Sequence, residues 1–126
     1  MILILGGAYQ GKRAYAEQTL GIPNAEIADL SEADDLSPNV RAFDHFEQWV
    51  LRRVDQNESA EQLLMEQLSL LEGKVVLCED IQCGVVPIDA RMRAWREENG
   101  RCLCLLARRA QRVIRVCCGL PLELKP

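Results

Sequence analysis

Residues 3–17 read LILGGAYQGKRAYAE. The apolar run at residues 2–5 stops at Gly6-Gly7, the pattern of a strand buried on both faces of a parallel sheet. Residues 12–20 then predict a helix, with Gly21 as its stop and Pro23 just beyond. Between the two, Gly6, Gly11 and Lys12 satisfy the spacing G-x-x-x-x-G-K. Glycines at these positions let backbone N–H groups turn inward around phosphate oxygens. The helix N-terminus adds positive potential. Lys12 supplies a mobile charge for the outer phosphates. Gly6, Gly7, Ala8, Tyr9, Gln10, Gly11, Lys12 and Arg13 are therefore the candidate nucleotide-binding residues. A ligand-free strand–glycine–helix turn with a lysine in its first turn is the plainer alternative.

Arg13 departs from the motif. A Ser or Thr at this place holds magnesium through its hydroxyl. Arginine has no acceptor atom and cannot ligate a metal. It can pair with phosphate oxygens and so replace part of the metal's charge. Phosphate binding survives such a change, whereas Mg2+ and metal-assisted phosphoryl transfer become doubtful. No metal-ligating residue is assigned.

Strands and helices alternate along the rest of the chain. Strands are predicted at residues 26–30, 40–43, 74–78 and 113–118. One helix is predicted from Asp44, with Glu47 completing a capping box, or alternatively from Pro38 with Ser37 as its cap. Another opens at Ser59 with Gln62 and stops at Gly73. A third follows Pro87 and is broken at Gly100, and a fourth spans residues 101–110. Residues 31–39 read as loop, and Gly119-Leu120-Pro121 turns the chain into a tail. The expected fold is α/β and P-loop NTPase-like, with a mostly parallel sheet of about four to five strands and helices on both faces. At 126 residues, a single domain over residues 1–126 is expected.

The net charge of −4 argues against nucleic acid as a partner. Eight of the twelve arginines lie between Arg91 and Arg115, interleaved with Glu97 and Glu98, as a solvated helical face or an anion-binding one. The six cysteines form no C-x-x-C set, so a zinc site is not expected. Cys117-Cys118 reads as a pair of small buried hydrophobes in a strand, not a bridge. No apolar stretch has membrane length, and a cytoplasmic setting with reduced thiols is expected.

The opening GGAYQGKRAYAE resembles the GG-A-R-S-G-K-S-x-x-A-E start of the bifunctional adenosylcobinamide kinase/adenosylcobinamide-phosphate guanylyltransferases of cobalamin biosynthesis. Gly6, Gly7, Ala8, Gly11, Lys12, Ala16 and Glu17 match. The segment EDIQCGVVPIDARMRAWREENGR is similar to the family's N-E-V-G-x-G-I-V-P stretch and the arginine-rich helix after it. There Asp80, Gly84, Val86, Pro87, Arg96, Glu97 and Gly100 fall in register. The resemblance covers residues 1–21 and 75–125. The family's R-I-x-x-H motif carries the histidine that takes the guanylyl group, and Arg41 and His45 have that spacing.

The resemblance thus implies His45 as the guanylylated nucleophile, Lys12 as the catalytic charge, and Asp80 and Arg41 as auxiliary residues. Read without it, a single histidine beside two aromatics is more often structural. The resemblance also implies GTP (or ATP), a corrinoid substrate met by arginines such as Arg91 and Arg96, and a homo-oligomer. Trp49 and Trp95 are candidate interface anchors, with core burial as the commoner fate. One family feature is missing. The strand with an Asp-Cys-Leu-Thr type sequence, whose aspartate serves magnesium, has no counterpart in residues 46–74. Asp80 or Asp29 are the carboxylates available to replace it. A catalytically silent nucleotide-binding homologue is the alternative reading.

Overall fold

The structure, a computed structural model, describes residues 1–81 and 89–126. The expectations that fall on Cys83, Gly84, Val86 and Pro87 lie outside the described residues.

Strand β1 (Ile2–Gly6) leads through the glycine loop into helix α1 (Lys12–Gln18). Strands β2 (Ile27–Asp29) and β3 (Ala42–Asp44) follow, separated by the expected loop. Helices α2 (Phe46–Asp55) and α3 (Ala60–Gln67) come next, then a short 3-10 turn at Leu68–Leu71. Strand β4 (Val75–Glu79), helix α4 (Ala90–Arg109) and the hairpin of β5 (Arg112–Cys117) and β6 (Leu120–Lys125) complete the chain. Residues 46–74 hold no strand, as the sequence indicates.

The sheet order is β2-β3-β4-β1-β5-β6. Neighbours from β2 through β5 are parallel, and β6 is antiparallel to β5. The count is six strands, one above the expected range. From β1 the chain moves outward to β2 and returns through β3 to β4, then crosses β1 to reach β5. Open parallel sheets bind ligands at such a reversal, beyond the carboxyl ends of the strands. The loop after β1 sits there.

Alternation along each strand sorts side chains to two cores. Leu3, Phe43, Val76, Cys78 and Val113 face α2, α3 and α4. Ile4, Ala42, Val75, Leu77, Ile114 and Val116 face α1, where Ala16, Tyr15 and Leu20 pack on them. Helices therefore cover both faces. Trp49 belongs to the first core, fully buried and stacked on Phe46 with ring centroids 5.4 Å apart. Trp95 is half-buried and donates its indole N–H to the Glu47 carbonyl at 2.8 Å. Both tryptophans thus pack within the chain.

Several local expectations change in the tertiary setting. The helix expected at Asp44 begins at Phe46, because Asp44 ends β3. Glu47 makes no capping box. Its side chain is buried and its Oε1 accepts the Glu79 amide at 2.7 Å, tying α2 to β4. By contrast, Ser59 does cap α3, accepting from the Gln62 amide. The two helices expected on either side of Gly100 are one continuous α4. A mid-helix glycine costs about 1 kcal/mol. Burying Leu105 and Leu106 beyond it offsets that, at roughly 1.5–3 kcal/mol per side chain.

The expected tail is strand β6. Cys118 and Gly119, both at positive φ, form the two-residue turn that favours a tight hairpin. Lys125 reaches the Ala107 and Arg108 carbonyls at the end of α4, each at 3.2 Å. Cys117 and Cys118 are exposed, not buried, because they stand at the hairpin tip. Among the described helices none is long and apolar enough to cross a membrane.

Candidate nucleotide site

The loop's shape follows from two of its glycines. A Cβ on Gly6 would lie 2.5 Å from the Val116 carbonyl oxygen of β5, a backbone atom that cannot step aside. Gly11 caps α1 at φ +99°, and a Cβ there would meet the Gly119 Cα at 3.2 Å. The β5–β6 turn braces the loop further. Gly119 N–H donates to the Gln10 carbonyl at 2.9 Å, and Cys118 N–H to the Gln10 side chain at 2.7 Å. Tyr9 sits at φ +58° with its side chain fully in solvent. Among the described residues, no backbone carbonyl accepts from the amides of residues 8–12. These amides are the donors a phosphate needs. Lys12 folds back across the loop, its Nζ donating to the Gly7 carbonyl at 2.7 Å.

The loop forms one wall of a cavity of about 540 Å3. Ala8, Tyr9, Gln10, Gly11, Lys12 and Arg13 line it together with Asp44, His45 and Glu79. The volume suits a small-molecule ligand. Gly6 and Gly7 lie behind this wall, shaping it. The structure therefore brings His45 and the loop, 30-odd residues apart in the chain, into one chamber.

His45 stands between β3 and α2 in a left-handed backbone conformation (φ +57°, ψ +46°). That turn directs the ring toward the ends of the neighbouring strands. Its Nδ1 lies 2.9 Å from Asp29 Oδ1 and 3.7 Å from Asp44 Oδ2. Partial burial opposes the charged imidazole. The charges of Asp44, Asp29 and Glu47 and the Asp29 hydrogen bond outweigh it and lift the pKa above the ordinary 6.5. Burial likewise works against the Asp29 carboxylate, but hydrogen bonds from Ser31 and the His45 ring hold its pKa below the usual value. The Asp29 contact leaves Nε2 as the ring nitrogen free of that carboxylate.

Arg13 turns to the same rim. Its Nη1 donates to Asp44 Oδ2 at 3.1 Å, its Nε to Glu17 at 3.3 Å, and its Nη2 to the Asn24 side chain. Asp44 also accepts the His45 amide at 2.8 Å. Asp29 and Asp44 are register partners on adjacent strands, so two carboxylates end side by side. Like charges so placed repel. Arg13 pairs with Asp44, and the His45 ring hydrogen-bonds Asp29.

The remaining sequence candidates have other partners. Asp80 donates its amide to the Gly6 carbonyl at 2.8 Å, while its carboxylate pairs with Arg115 at 2.6 Å. Arg41 lies at the far end of β3, against the Gly21 carbonyl and Glu26, away from the cavity. Arg91 clasps Asp55 through two nitrogens at 2.6 and 2.9 Å. Neither Asp80 nor Asp29 is thus placed as a spare metal ligand. Among the described residues magnesium finds no fit: residue 13 offers no side-chain oxygen, Asp44 is already engaged on both oxygens, and no group of three candidate ligands occurs.

The sequence reading missed Asp44 and Glu79 as cavity residues and Asp29 as the partner of His45. One signal was present. An acid lies within one residue of the end of three predicted strands (Asp29, Asp44 and Glu79), and the carboxyl ends of parallel strands share one edge.

A mostly parallel sheet with a G-x-x-x-x-G-K loop at its switch point defines a P-loop-like α/β protein. Within that class, the chain matches the model of the cobinamide kinase / cobinamide phosphate guanyltransferase family (CobU) over residues 26–124, and it belongs to that family. The matched stretch runs from the turn before β2 to the end of β6. Comparison with curated proteins gave no match.

Proposed function

We propose that the chain binds a purine nucleotide, GTP or ATP, with the phosphates in the loop at residues 6–13, and that from GTP it transfers a guanylyl group through His45 to a cobinamide phosphate. The observation that carries this reading is His45 on the wall of the loop's own cavity, with Nδ1 held by Asp29. Family membership supplies the substrate class.

In this reading the unprotonated Nε2 attacks the α-phosphorus, and the bond to pyrophosphate breaks. An oxygen of the cobinamide phosphate then attacks the same phosphorus, the P–N bond breaks, and the imidazole returns. Asp29 fixes the tautomer with its proton on Nδ1 and steadies the cation formed on Nε2 attack. Lys12 and the loop amides meet the negative charge on the phosphates. Oligomer formation and a cytoplasmic setting belong to this proposal as well.

A second reading rests on Arg13 and Asp44. Their pairing removes the usual metal-holding groups, which suits a nucleotide binder without turnover. Incubation with α-labelled GTP separates the two. Protein-bound label that resists alkali, is released by acid as a P–N bond requires, and is absent from His45→Asn supports transfer. Saturable binding without covalent label supports the silent binder. Absence of binding at millimolar nucleotide removes both.

A further inference from the structure

Arg13 and Asp44 occupy the place in the fold where a metal-binding loop keeps its ion. Residue 13 follows the loop lysine in the first turn of α1. Asp44 ends β3, and both residues line the cavity beside the loop. In a metal-dependent loop, a hydroxyl from the first position and water or carboxylate from the strand ends would surround a cation here. This chain instead puts a guanidinium 3.1 Å from the carboxylate.

We propose that the Arg13 guanidinium fills the metal's place beside Asp44, so that the loop holds a nucleoside polyphosphate free of divalent metal through Lys12 and its own amides. This inference rests on the nucleotide-binding reading above.

Three features fix the guanidinium in place. All three of its nitrogens donate to protein acceptors on three different segments: Glu17 one turn along α1, Asn24 in the turn before β2, and Asp44 on β3. The Asp44 side chain is only 8% exposed, so an uncompensated charge there would be costly. An incoming divalent ion would have to displace a charge-assisted pair and would gain no oxygen from residue 13. Arg13 and Asp44 cancel in charge, which leaves Lys12 and the loop amides facing the phosphates. A metal-free polyphosphate brings more negative charge to those donors than its magnesium complex does.

The test is titration of the protein with a fluorescent GTP analogue in 5 mM EDTA and again in 5 mM MgCl2, with those concentrations set to exceed the nucleotide by roughly tenfold or more. Wild type is expected to bind in EDTA with an affinity within about threefold of that in magnesium, while Arg13→Ser, which restores the hydroxyl and releases Asp44, binds about tenfold or more tightly with magnesium than without. Wild-type binding that vanishes in EDTA and returns with magnesium overturns the inference. A double-mutant cycle of Arg13→Met and Asp44→Asn, read by thermal unfolding without nucleotide, checks the ion pair separately. The double variant should lose less stability than the two single losses added together. Additive losses also overturn it. If no nucleotide binds in either buffer, the nucleotide reading fails; a metal requirement is the distinct result that sinks this inference alone.

Discussion

The glycine loop and the carboxylate rim meet at one cavity but are built by opposite means. The loop is one contiguous segment whose conformation is set by glycines and a hairpin pressed against it. The rim gathers Asp29, Asp44 and Glu79 from the carboxyl ends of three neighbouring strands, β2, β3 and β4. Arg13 from α1 pairs with Asp44 there, and His45 from the β3–α2 junction hydrogen-bonds Asp29. The loop is thus sensitive to backbone space and the rim to charge. Damage to one should leave a different signature from damage to the other.

The largest expected effect is on the loop. Gly6→Val pushes side-chain atoms into the Val116 carbonyl and should cost about 3 kcal/mol in denaturant unfolding, with nucleotide binding lost. Unchanged stability would show that β5 does not confine the loop at this point.

Asp29→Asn attacks the rim and should leave the loop alone. Guanylyl labelling should drop roughly 10- to 100-fold, as when an orienting partner of a functional histidine is removed. Nucleotide binding should stay near wild type. An equal loss of both would erase the distinction between loop and rim.

The rim also predicts a pH dependence. The folded pKa of His45 is raised above 6.5, so the stability from its carboxylate partners is complete below 6.5 and fades as pH rises through the raised value. The stability gap between wild type and Asp29→Asn should therefore shrink from pH 5.5 to about 8.5 in paired denaturant titrations, a window of ordinary histidine titration. Labelling should move the other way, rising with pH as Nε2 loses its proton. A gap that widens with pH would contradict the His45–Asp29 pairing.

Gln10→Ala is the mildest change. It removes the side-chain bond to the Cys118 amide while the Gly119 bond to the residue 10 carbonyl remains. A loss of about 1 kcal/mol and a few-fold weaker nucleotide binding are expected from one hydrogen bond. A loss confined to stability would mean that the brace supports the hairpin more than the loop.

Much of the fold could be read along the chain. The apolar run of β1, the KVVLC run of β4 and the Ser59 cap of α3 appear where their patterns place them. The errors came where a remote contact outweighed a local preference. Gly100 suggests a break only until the core contacts of α4 are counted. Asp44 followed by Glu47 has the form of a helix cap, yet Asp44 belongs to a strand and Glu47 to the Glu79 amide. The hairpin tip at Cys118-Gly119 lacks the usual asparagine or aspartate signal, so β6 reads as a tail along the chain.

The sequence by itself determined where the loop lies, since the conformational freedom of glycine and the position of a helix N-terminus are local properties that spacing records; the hairpin that braces it is tertiary. It also determined that residue 13 has no oxygen to offer a metal. Only the tertiary structure decided what Arg13 does instead, and which carboxylate holds His45. Those answers depend on which strand ends lie side by side, and Coulomb energy follows distance in space, whereas spacing in sequence carries no record of it.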